Sequence, residues 1–469
     1  MIKFIRLRHC TSKYKEKTIL KGQKMSLFKI GRTHVPHRKN TASVPAVRIN
    51  PPSSVEIPMS QHIGAPANPT VKVGDKVYVG TLIGEAGGFV SAPIHSSVSG
   101  IVKKIGTYLL ANGRNTQSVI IESDGEMTPD PQITPPKVTN YKELSDAVRA
   151  SGLVGLGGAG FPTSVKLDPG KVDKIDVFLI NGAECEPYIT SDTRTMIDDA
   201  EYIRRGVDLI LSLSGIKKAI VGIENNKPEC IAKMNESFAG DERVSVASLP
   251  STYPQGGEKI LIYNTTGRIV PEGKLPSDVG ILIMNVTTVA FIAKYVERGM
   301  PLVEKCLTVD GSAIKSPANV IVPIGIRVGD VIDAVGGFSE EPGKILYGGP
   351  MMGTAIYTLD APVLKNNNAI TAFNKKDSKN PKESACIHCG RCVAACPMSL
   401  NPTVFAKAMG LANSADRAER LDIAKVNLCI ECGCCSFVCP AKRPLVENNR
   451  LGKADLREFN AQKQKKGDK

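Results

Sequence analysis

The sequence contains no tryptophan, and aromatic residues make up only 5% of its 469 positions. Proteins that bind single-stranded nucleic acid stack bases on aromatic side chains placed among basic ones, and no such stripe occurs here. We therefore expect no nucleic acid among the partners. Apolar runs of the roughly 18 residues that a membrane span requires are also missing. The longest candidate, Val279 to Ala293, is shorter and polar in places, which predicts a buried strand followed by the start of a helix.

Positive charge is concentrated at one end of the chain. The formal net charge is +14, and residues 1–24 hold eight Lys or Arg and one Glu. This stretch lacks the apolar core of a secretory signal, so we expect a basic extension on a protein of the cytosol. The remaining excess suits an anionic membrane surface or an acidic partner better than nucleic acid.

Cysteine is sparse except in two short runs. Of the 13 cysteines, eight lie in two ordered runs within residues 386–439. Such spacing in a cytosolic protein favours metal binding over disulfides. The remaining five are expected to be ordinary thiols: Cys10, Cys185, Cys230, Cys306 and Cys434.

The chain is long enough for several cores, and its pattern predicts a multidomain α/β protein. Residues 55–123 alternate apolar and polar positions between glycine turns, which is typical of a small β-barrel or sandwich-hybrid module. The segment resembles biotinyl and lipoyl domains but has no lysine in "SAPIHSSVSG", so a purely structural role is expected. Strands and helices then alternate, which predicts a Rossmann-like parallel sheet.

The predicted helices and strands of this second domain lie at 141–150, 177–180, 193–213, 219–223, 228–238 and 244–249. A small α+β module follows. We predict that Lys365 to Glu383 is a polar linker and that the last 20 residues are frayed. The predicted domains are 1–24 (basic extension), 25–135 (β-barrel/sandwich-hybrid), 140–295 (α/β), 300–362 (α+β), 375–450 (ferredoxin-like) and 451–469 (polar tail).

The two cysteine runs, "CIHCGRCVAACP" and "CIECGCCSFVCP", match the run typical of two-cluster ferredoxins. Thiolates are the usual ligands of iron–sulfur clusters. In paired runs, the last cysteine of each binds the cluster of the other run. One [4Fe–4S] cluster is therefore assigned to Cys386, Cys389, Cys392 and Cys439, and the second to Cys429, Cys432, Cys435 and Cys396. Zinc is the alternative, although a four-thiolate zinc site needs only two Cys-x-x-Cys pairs.

A glycine-rich turn, "GLVGLGGAGFPTSVKL", begins at Gly152. Gly155, Gly157 and Gly160 formally match a dinucleotide fingerprint, but a helix precedes them instead of a strand. The turn could serve close packing only. Alternatively, its N–H groups could approach a phosphate-bearing cofactor, with Lys166 neutralising charge.

Polar residues follow two predicted strands near this turn. Asn181, Glu184 and Glu186 come after the strand at 177–180, and "QGGEK" follows the strand at 244–249. Ligands of parallel sheets bind beyond the carboxyl ends of the strands. These residues are therefore candidates for the same site.

The motifs "GGAGFPTSVKL", "NGAECEP", "QGGEK" and "NVTTVAF" resemble the FMN- and NADH-binding subunit of respiratory complex I. With the cysteine runs and the order of modules, residues 25–450 resemble the RnfC subunits of the Rnf electron-transport complexes. The resemblance implies that FMN is bound by Gly157, Gly158, Gly160, Lys166, Asn181, Glu184, Asn285, Thr287 and Thr288. It also implies that NADH stacks over Phe161 near Glu186, Gly256, Gly257 and Glu258.

The family pattern is not followed everywhere. Ala183 stands where complex I has an acidic residue, Cys185 where it has glycine or serine, and Lys259 where threonine is expected. The resemblance further implies an SLBB-like module at 300–362.

The expected function is to take a hydride from NADH onto FMN and pass single electrons through two clusters to partner subunits. The complex would sit on the cytoplasmic face of the membrane and couple NADH:ferredoxin electron transfer to ion translocation. The chain itself would be attached peripherally. The alternatives are the flavin subunit of a soluble hydrogenase or bifurcating complex, and a non-catalytic docking subunit. No catalytic acid or base is predicted.

Overall fold

A computed structural model describes residues 30–467 of the chain, so the predicted basic extension at 1–24 lies outside the described residues. The multidomain α/β fold class expected from the sequence is confirmed. Within the described residues, no helix is long and apolar enough to cross a membrane.

The first module, here called the barrel module, consists of two antiparallel sheets. Alternating side chains bury Val55 and Ile57 on one strand and Val119 and Ile121 on its neighbour. This alternation is the reason that the sequence pattern indicated β structure. The strands are β1 (Val47–Arg48), β2 (Ser54–Pro58), β3 (Asn68–Pro69), β4 (Lys76–Val77), β5 (Leu82–Glu85), β6 (Ile94–His95), β7 (Gly100–Leu109) and β8 (Asn115–Ser123). The sheets are ordered β2-β8-β7-β4 and β3-β5-β6, while β1 joins a later sheet.

The second module is a parallel sheet covered by helices, here called the parallel-sheet module. Its elements are α1 (Tyr141–Ala150), α2 (Thr163–Lys166), β9 (Val177–Gly182), α3 (Ser191–Asp198), α4 (Ala200–Ser214), β10 (Lys218–Glu224), α5 (Pro228–Ser237), β11 (Val244–Leu249), α6 (Glu258–Thr266), β12 (Ile281–Asn285) and α7 (Val286–Arg298). Two 3₁₀ turns span Pro169–Lys174 and Pro276–Val279. The sheet order is β11-β10-β9-β12, with all pairs parallel.

The single helix predicted at 193–213 is instead two helices. The break falls at Asp199, whose backbone leaves helical geometry. Its carboxylate accepts a hydrogen bond from Lys294 on α7 at 2.7 Å. The strand and helix predicted within Val279–Ala293 are confirmed as β12 and α7.

The third module is a mixed sheet, and it corrects the predicted linker at Lys365–Glu383. Its elements are β13 (Glu304–Asp310), β14 (Ala318–Pro323), α8 (Val328–Ala334), β15 (Pro342–Tyr347), β16 (Thr354–Ala355) and β17 (Ala369–Asn374). The sheet order is β1-β14-β13-β17-β15-β16, so β17 lies near its centre. The linker prediction was wrong because polar runs on both sides obscured the buried segment "AITAF".

The cluster module contains five helices and corrects the frayed tail. They are α9 (Arg391–Ala394), α10 (Pro402–Met409), α11 (Ser414–Ile423), α12 (Cys434–Phe437) and α13 (Leu445–Gly467), with a 3₁₀ turn at Val426–Leu428. The expected disorder of the last 20 residues was wrong as far as Gly467, because α13 packs Leu456 and Gly452 against Leu421 of α11. A few apolar positions at helical spacing outweighed the polar composition.

Candidate functional site

The glycine-rich turn is a narrow loop closed at its base. Gly155 N–H donates to Phe161 O at 2.8 Å, and Gly160 N–H donates to Gly155 O at 3.2 Å. Gly158 and Gly160 have φ of 114° and 64°, a region that favours glycine. Within residues 30–467, the N–H groups of Gly157 and Gly158 have no hydrogen-bond partner. A Cβ on Gly158 would meet only one neighbouring atom, at 4.0 Å, so the space beside it is open.

Two polar groups hold the start of this turn at Leu156. Its N–H donates to Thr288 Oγ1 at 3.0 Å, and its carbonyl accepts from Lys305 Nζ at 3.1 Å. Lys305 is buried, and this burial lowers its pKa to about 8 against the opposing charge of Asp192. Lys305 was not predicted as a site residue.

Asn285 caps α7, and its side chain also reaches α3. Its Oδ1 accepts from the N–H groups of Thr287 (2.9 Å) and Thr288 (3.4 Å). Its Nδ2 donates to Asp192 Oδ2 at 2.7 Å, while Thr287 Oγ1 donates to Asp192 Oδ1 at 2.8 Å. The side chain of Asn285 also lies against Gly157. The three predicted residues therefore lie beneath the turn, around a buried aspartate that was not predicted.

Asn181 connects the end of β9 to the second glycine pair. Its Nδ2 donates to Gly256 O at 2.9 Å, and its Oδ1 accepts from Ala183 N–H at 3.1 Å. A Cβ on Gly256 would overlap Ala183 O, so only glycine fits there. Gly257 is the N-terminal cap residue of α6. The two predicted strand ends are brought together, with these glycines in the packing between them.

Glu184 is directed into the protein. Its carboxylate accepts from Asp192 N–H (2.7 Å), Thr193 N–H (3.3 Å) and Thr193 Oγ1 (2.8 Å), so it caps the start of α3. Burial raises the pKa of Glu184 to about 7, opposed by the nearby Lys39 ammonium. The predicted contact between this carboxylate and a cofactor stays a prediction, since these donors already occupy the group.

Glu186 contacts the third module. Its carboxylate accepts from Met351 N–H at 3.2 Å and Met352 N–H at 2.7 Å. Burial raises the pKa of Glu186 to about 7. A Cβ on Gly349 would overlap this carboxylate, so the approach depends on glycine.

Lys166 and Glu258 form an ion pair at the edge of the site, 2.8 Å apart. Lys166 Nζ also donates to Ile283 O at 3.1 Å. Their side chains are 28% and 42% exposed, so both can still meet a ligand. Phe161 is half-buried, and its carbonyl closes the glycine-rich turn.

The eight predicted cluster cysteines line two separate cavities, with empty volumes of about 330 and about 370 Å³. The first, here called the inner cavity, is lined by Cys396, Cys429, Cys432 and Cys435. The second, the outer cavity, is lined by Cys386, Cys389, Cys392 and Cys439. Each cavity thus combines three cysteines of one run with the last cysteine of the other.

The inner cavity lies against the parallel-sheet module. Tyr253 Oη donates to Cys432 O at 2.7 Å, and the backbone of Gly433 lies against Met351 O. Cys434, predicted to be off the repeat, is buried beside this cavity with its Sγ 3.9 Å from Tyr253 O. The outer cavity is more open, since Cys389 is exposed and Ile387 is 65% exposed.

These features fit the cofactors implied by the sequence. The turn offers free N–H groups beside open space, which suits a phosphate. Each cavity offers four thiols, which suits a [4Fe–4S] cluster. The fold and site therefore define a modular flavin and iron–sulfur electron-transfer protein.

Family models match four parts of the chain. They are the RnfC barrel sandwich hybrid domain (residues 27–126), the Nuo51 FMN-binding domain (148–294), the SLBB domain (307–355) and the 4Fe-4S dicluster domain (383–443). FMN and two [4Fe–4S] clusters are therefore its cofactors, and the zinc alternative is set aside.

The C subunits of ferredoxin:NAD⁺ oxidoreductase complexes are similar over most of the chain. The proton-translocating one of Clostridium ljungdahlii is 47% identical, covering 78% of this chain and 81% of the relative. The Na⁺-translocating one of Acetobacterium woodii is 45% identical, covering 80% and 86%. The ion-translocating one of Rhodobacter capsulatus is 38% identical, covering 79% and 73%. The chain belongs to this RnfC family, which confirms the resemblance.

A solved structure shares the fold. The air-oxidized NAD⁺-reducing [NiFe]-hydrogenase matches with a TM-score of 0.50 and 21% identity. The match covers 67% of this chain and 61% of the hydrogenase chain. At this identity the similarity supports the fold alone.

Proposed function

We propose that this chain is the NADH-oxidising electron-input subunit of a membrane-bound Rnf-type complex. The observation that carries the proposal is the junction between the modules. Tyr253, on the loop leading to α6 of the FMN-binding module, hydrogen-bonds Cys432 at the inner cysteine cavity. A flavin site and a chain of two cluster sites are thereby joined directly within one chain.

FMN, when bound, accepts two electrons as a hydride from NADH and releases them singly to the clusters. The residues of this chain bind and orient the reactants. The N–H groups of Gly157 and Gly158 point to a phosphate, and Lys166 supplies positive charge. Glu186 and Glu258 place negative charge at the edge of the site, and Phe161 provides a surface for the nicotinamide.

The burial of the two cavities sets an order for the electrons. The inner cavity contacts the parallel-sheet module through Cys432 and Gly433, while the outer cavity exposes Cys389 and Ile387. Electrons would therefore enter at the inner site and leave from the outer one. The exposed apolar side chain of Ile387 would lie at the contact with an acceptor subunit.

The relatives are named as subunits of ion-translocating ferredoxin:NAD⁺ oxidoreductase complexes. We infer the same partners here, with ferredoxin reached indirectly and the chain attached peripherally on the cytoplasmic face. Basic residues at 1–24 and in the tail would add attraction to anionic lipid, at about 1 kcal/mol per charge near the surface. The tail residues are Lys463, Lys465, Lys466 and Lys469.

Reconstitution of the isolated chain tests the catalytic proposal. Loaded with FMN and clusters, the chain should be reduced by NADH and should pass electrons to an artificial acceptor. Reduction of the flavin without the acceptor step would place the defect in the cluster relay. A loaded chain whose flavin is not reduced by NADH would favour the docking alternative.

Fractionation tests the proposed location. With partner subunits present, the chain should pellet with membranes and resist moderate salt. Expressed alone, it should remain in the supernatant, because protein contacts are proposed to dominate. Salt-resistant membrane binding by the isolated chain would contradict this arrangement.

A further inference from the structure

Three side chains of the third module donate to backbone carbonyls of the glycine-rich segment. Lys365 Nζ donates to Gly152 O at 2.7 Å, and Lys305 Nζ to Leu156 O at 3.1 Å. The third donor is Asn366 Nδ2, which lies 3.1 Å from Gly158 O, at the tip of the turn. The turn predicted to hold the flavin is therefore closed by residues that lie far away in the sequence.

Asn366 presents a second polar atom at this position. Since the carbonyl of Gly158 can only accept, the amide nitrogen of Asn366 must face it, and the amide oxygen faces elsewhere. That oxygen, Oδ1, is buried and has no hydrogen-bond partner within residues 30–467. The same side chain lies against Gly160, where a Cβ would be 3.1 Å from Asn366 Cβ. Buried acceptors are rarely left unpaired, so a donor is missing from this position.

We propose that Asn366 is a cofactor-contacting residue of the flavin site. Its Nδ2 holds Gly158, and its Oδ1 accepts a hydrogen bond from an O–H or N–H group of the bound flavin. The inference rests on the proposed function, which places FMN at this turn. An ionised phosphate offers acceptor oxygens only. The amide oxygen must therefore meet the ribityl hydroxyls or the ring N–H, which FMN shares with riboflavin.

The experiment titrates flavin-free protein with FMN and, separately, with riboflavin, following the quenching of flavin fluorescence. In Asn366→Ala, both Kd values should rise by the same factor, about fivefold to tenfold for a lost hydrogen bond. The matched control is Asn367→Ala. Asn367 is also buried, but its Oδ1 accepts from Leu364 N–H at 2.7 Å and its amide makes no hydrogen bond to the turn. Its Kd values should match those of the unchanged chain.

A second variant separates the two roles of the amide. Asn366→Asp keeps an acceptor but loses the donor to Gly158 and adds negative charge beside the phosphate position. It should weaken FMN more than riboflavin, and added salt should reduce that difference by screening the repulsion.

Three results would overturn the inference. They are unchanged Kd values in Asn366→Ala, a loss confined to FMN, and an effect confined to NAD⁺ binding by the flavin-loaded chain. A loss confined to FMN would mean that Asn366 acts only through the phosphate-binding turn. If the unchanged chain itself binds no FMN, the proposed function fails instead. Retained cluster absorbance and circular dichroism identify the variants that fold.

Discussion

The ammonium of Lys39 donates a hydrogen bond to the backbone carbonyl of Glu184 at 2.7 Å, across 145 residues of sequence. The same ammonium also donates to Glu186 O at 2.9 Å and Ile189 O at 2.6 Å. A second buried lysine, Lys227, donates to Glu184 O at 3.2 Å. The loop that follows β9 is therefore organised around two buried cations.

Replacing Lys39 tests whether this organisation serves the flavin. In Lys39→Met, three carbonyls lose a charged donor, each bond being worth about 1.5–3 kcal/mol. We expect FMN affinity to fall by at least about tenfold, with both clusters retained. The ratio of bound flavin to iron after reconstitution measures this effect. Lys104→Met, at an exposed position of β7, is the matched control, and equal flavin content in the two variants would contradict the expectation.

Gly158→Val tests the glycine-rich turn. Valine cannot easily adopt the φ of 114° at this position, and its side chain would fill the open space. Flavin should be lost while cluster absorbance remains. Gly113→Val places the same strain (φ of 80°) in the exposed β7–β8 turn and should keep its flavin. Stoichiometric FMN in Gly158→Val would refute the assignment.

Lys166→Ala tests an electrostatic contribution to phosphate binding. The ammonium is 28% exposed and paired with Glu258, so its effect on a ligand should be screened by salt. The loss of FMN affinity should be larger at low ionic strength than at high ionic strength. A loss that does not change with salt would assign Lys166 to packing. Comparing FMN with uncharged riboflavin locates the effect at the phosphate.

Cys439→Ser tests crossed ligation between the cysteine runs. Because Cys439 lines the outer cavity with Cys386, Cys389 and Cys392, the cluster signal of that cavity should be perturbed. Electron paramagnetic resonance of the reduced protein distinguishes the two clusters. Damage to the inner cluster instead would exclude the exchange of ligands. Cys434→Ser should leave both clusters at full occupancy.

Lys365→Met tests the buried cation between the barrel and third modules. Burial lowers the pKa of Lys365 to about 7, from 10.5 in an unfolded chain. Between these values the unfolded state binds more protons, so stability rises with pH and is lost as pH falls towards 7. The facing titratable groups are His95 and His62, whose pKa values burial and Lys365 lower, so neither gains a proton in this window.

The Tm of the unchanged chain relative to Lys365→Met should therefore increase from about pH 7.5 to about pH 9.5. Thermal unfolding followed by circular dichroism, with both proteins in the same buffers, measures the difference. A difference that is constant with pH would show that Lys365 remains charged throughout this range.

Regular periodicity made much of the fold predictable. The helix at Tyr141–Ala150 and the strand at Val244–Leu249 have the bounds expected from their patterns. The polar surroundings of β17 hid its five buried residues, because periodicity is weak over so short a stretch. In the same way, the few apolar contacts of α13 gave no signal against a charged tail.

The site was predictable where residues form local motifs. The glycine-rich turn and the cysteine runs are compact in sequence, and the structure brings their members together. The side chains that support them are not compact. Lys39, Asp192 and Lys305 act on backbone or side-chain groups up to 150 residues away. Single polar residues of this kind leave no pattern, so only the folded chain reveals them.

The position of β17 has a consequence for biosynthesis. This strand lies between β13 and β15, yet among the described residues it is the last strand to leave the ribosome. Domains generally fold in the order in which they are synthesised. The glycine-rich segment thus emerges long before Asn366, Lys365 and β17 arrive to close it. Flavin loading therefore belongs to a late stage of maturation, and a nascent chain that ends before residue 365 carries an open turn.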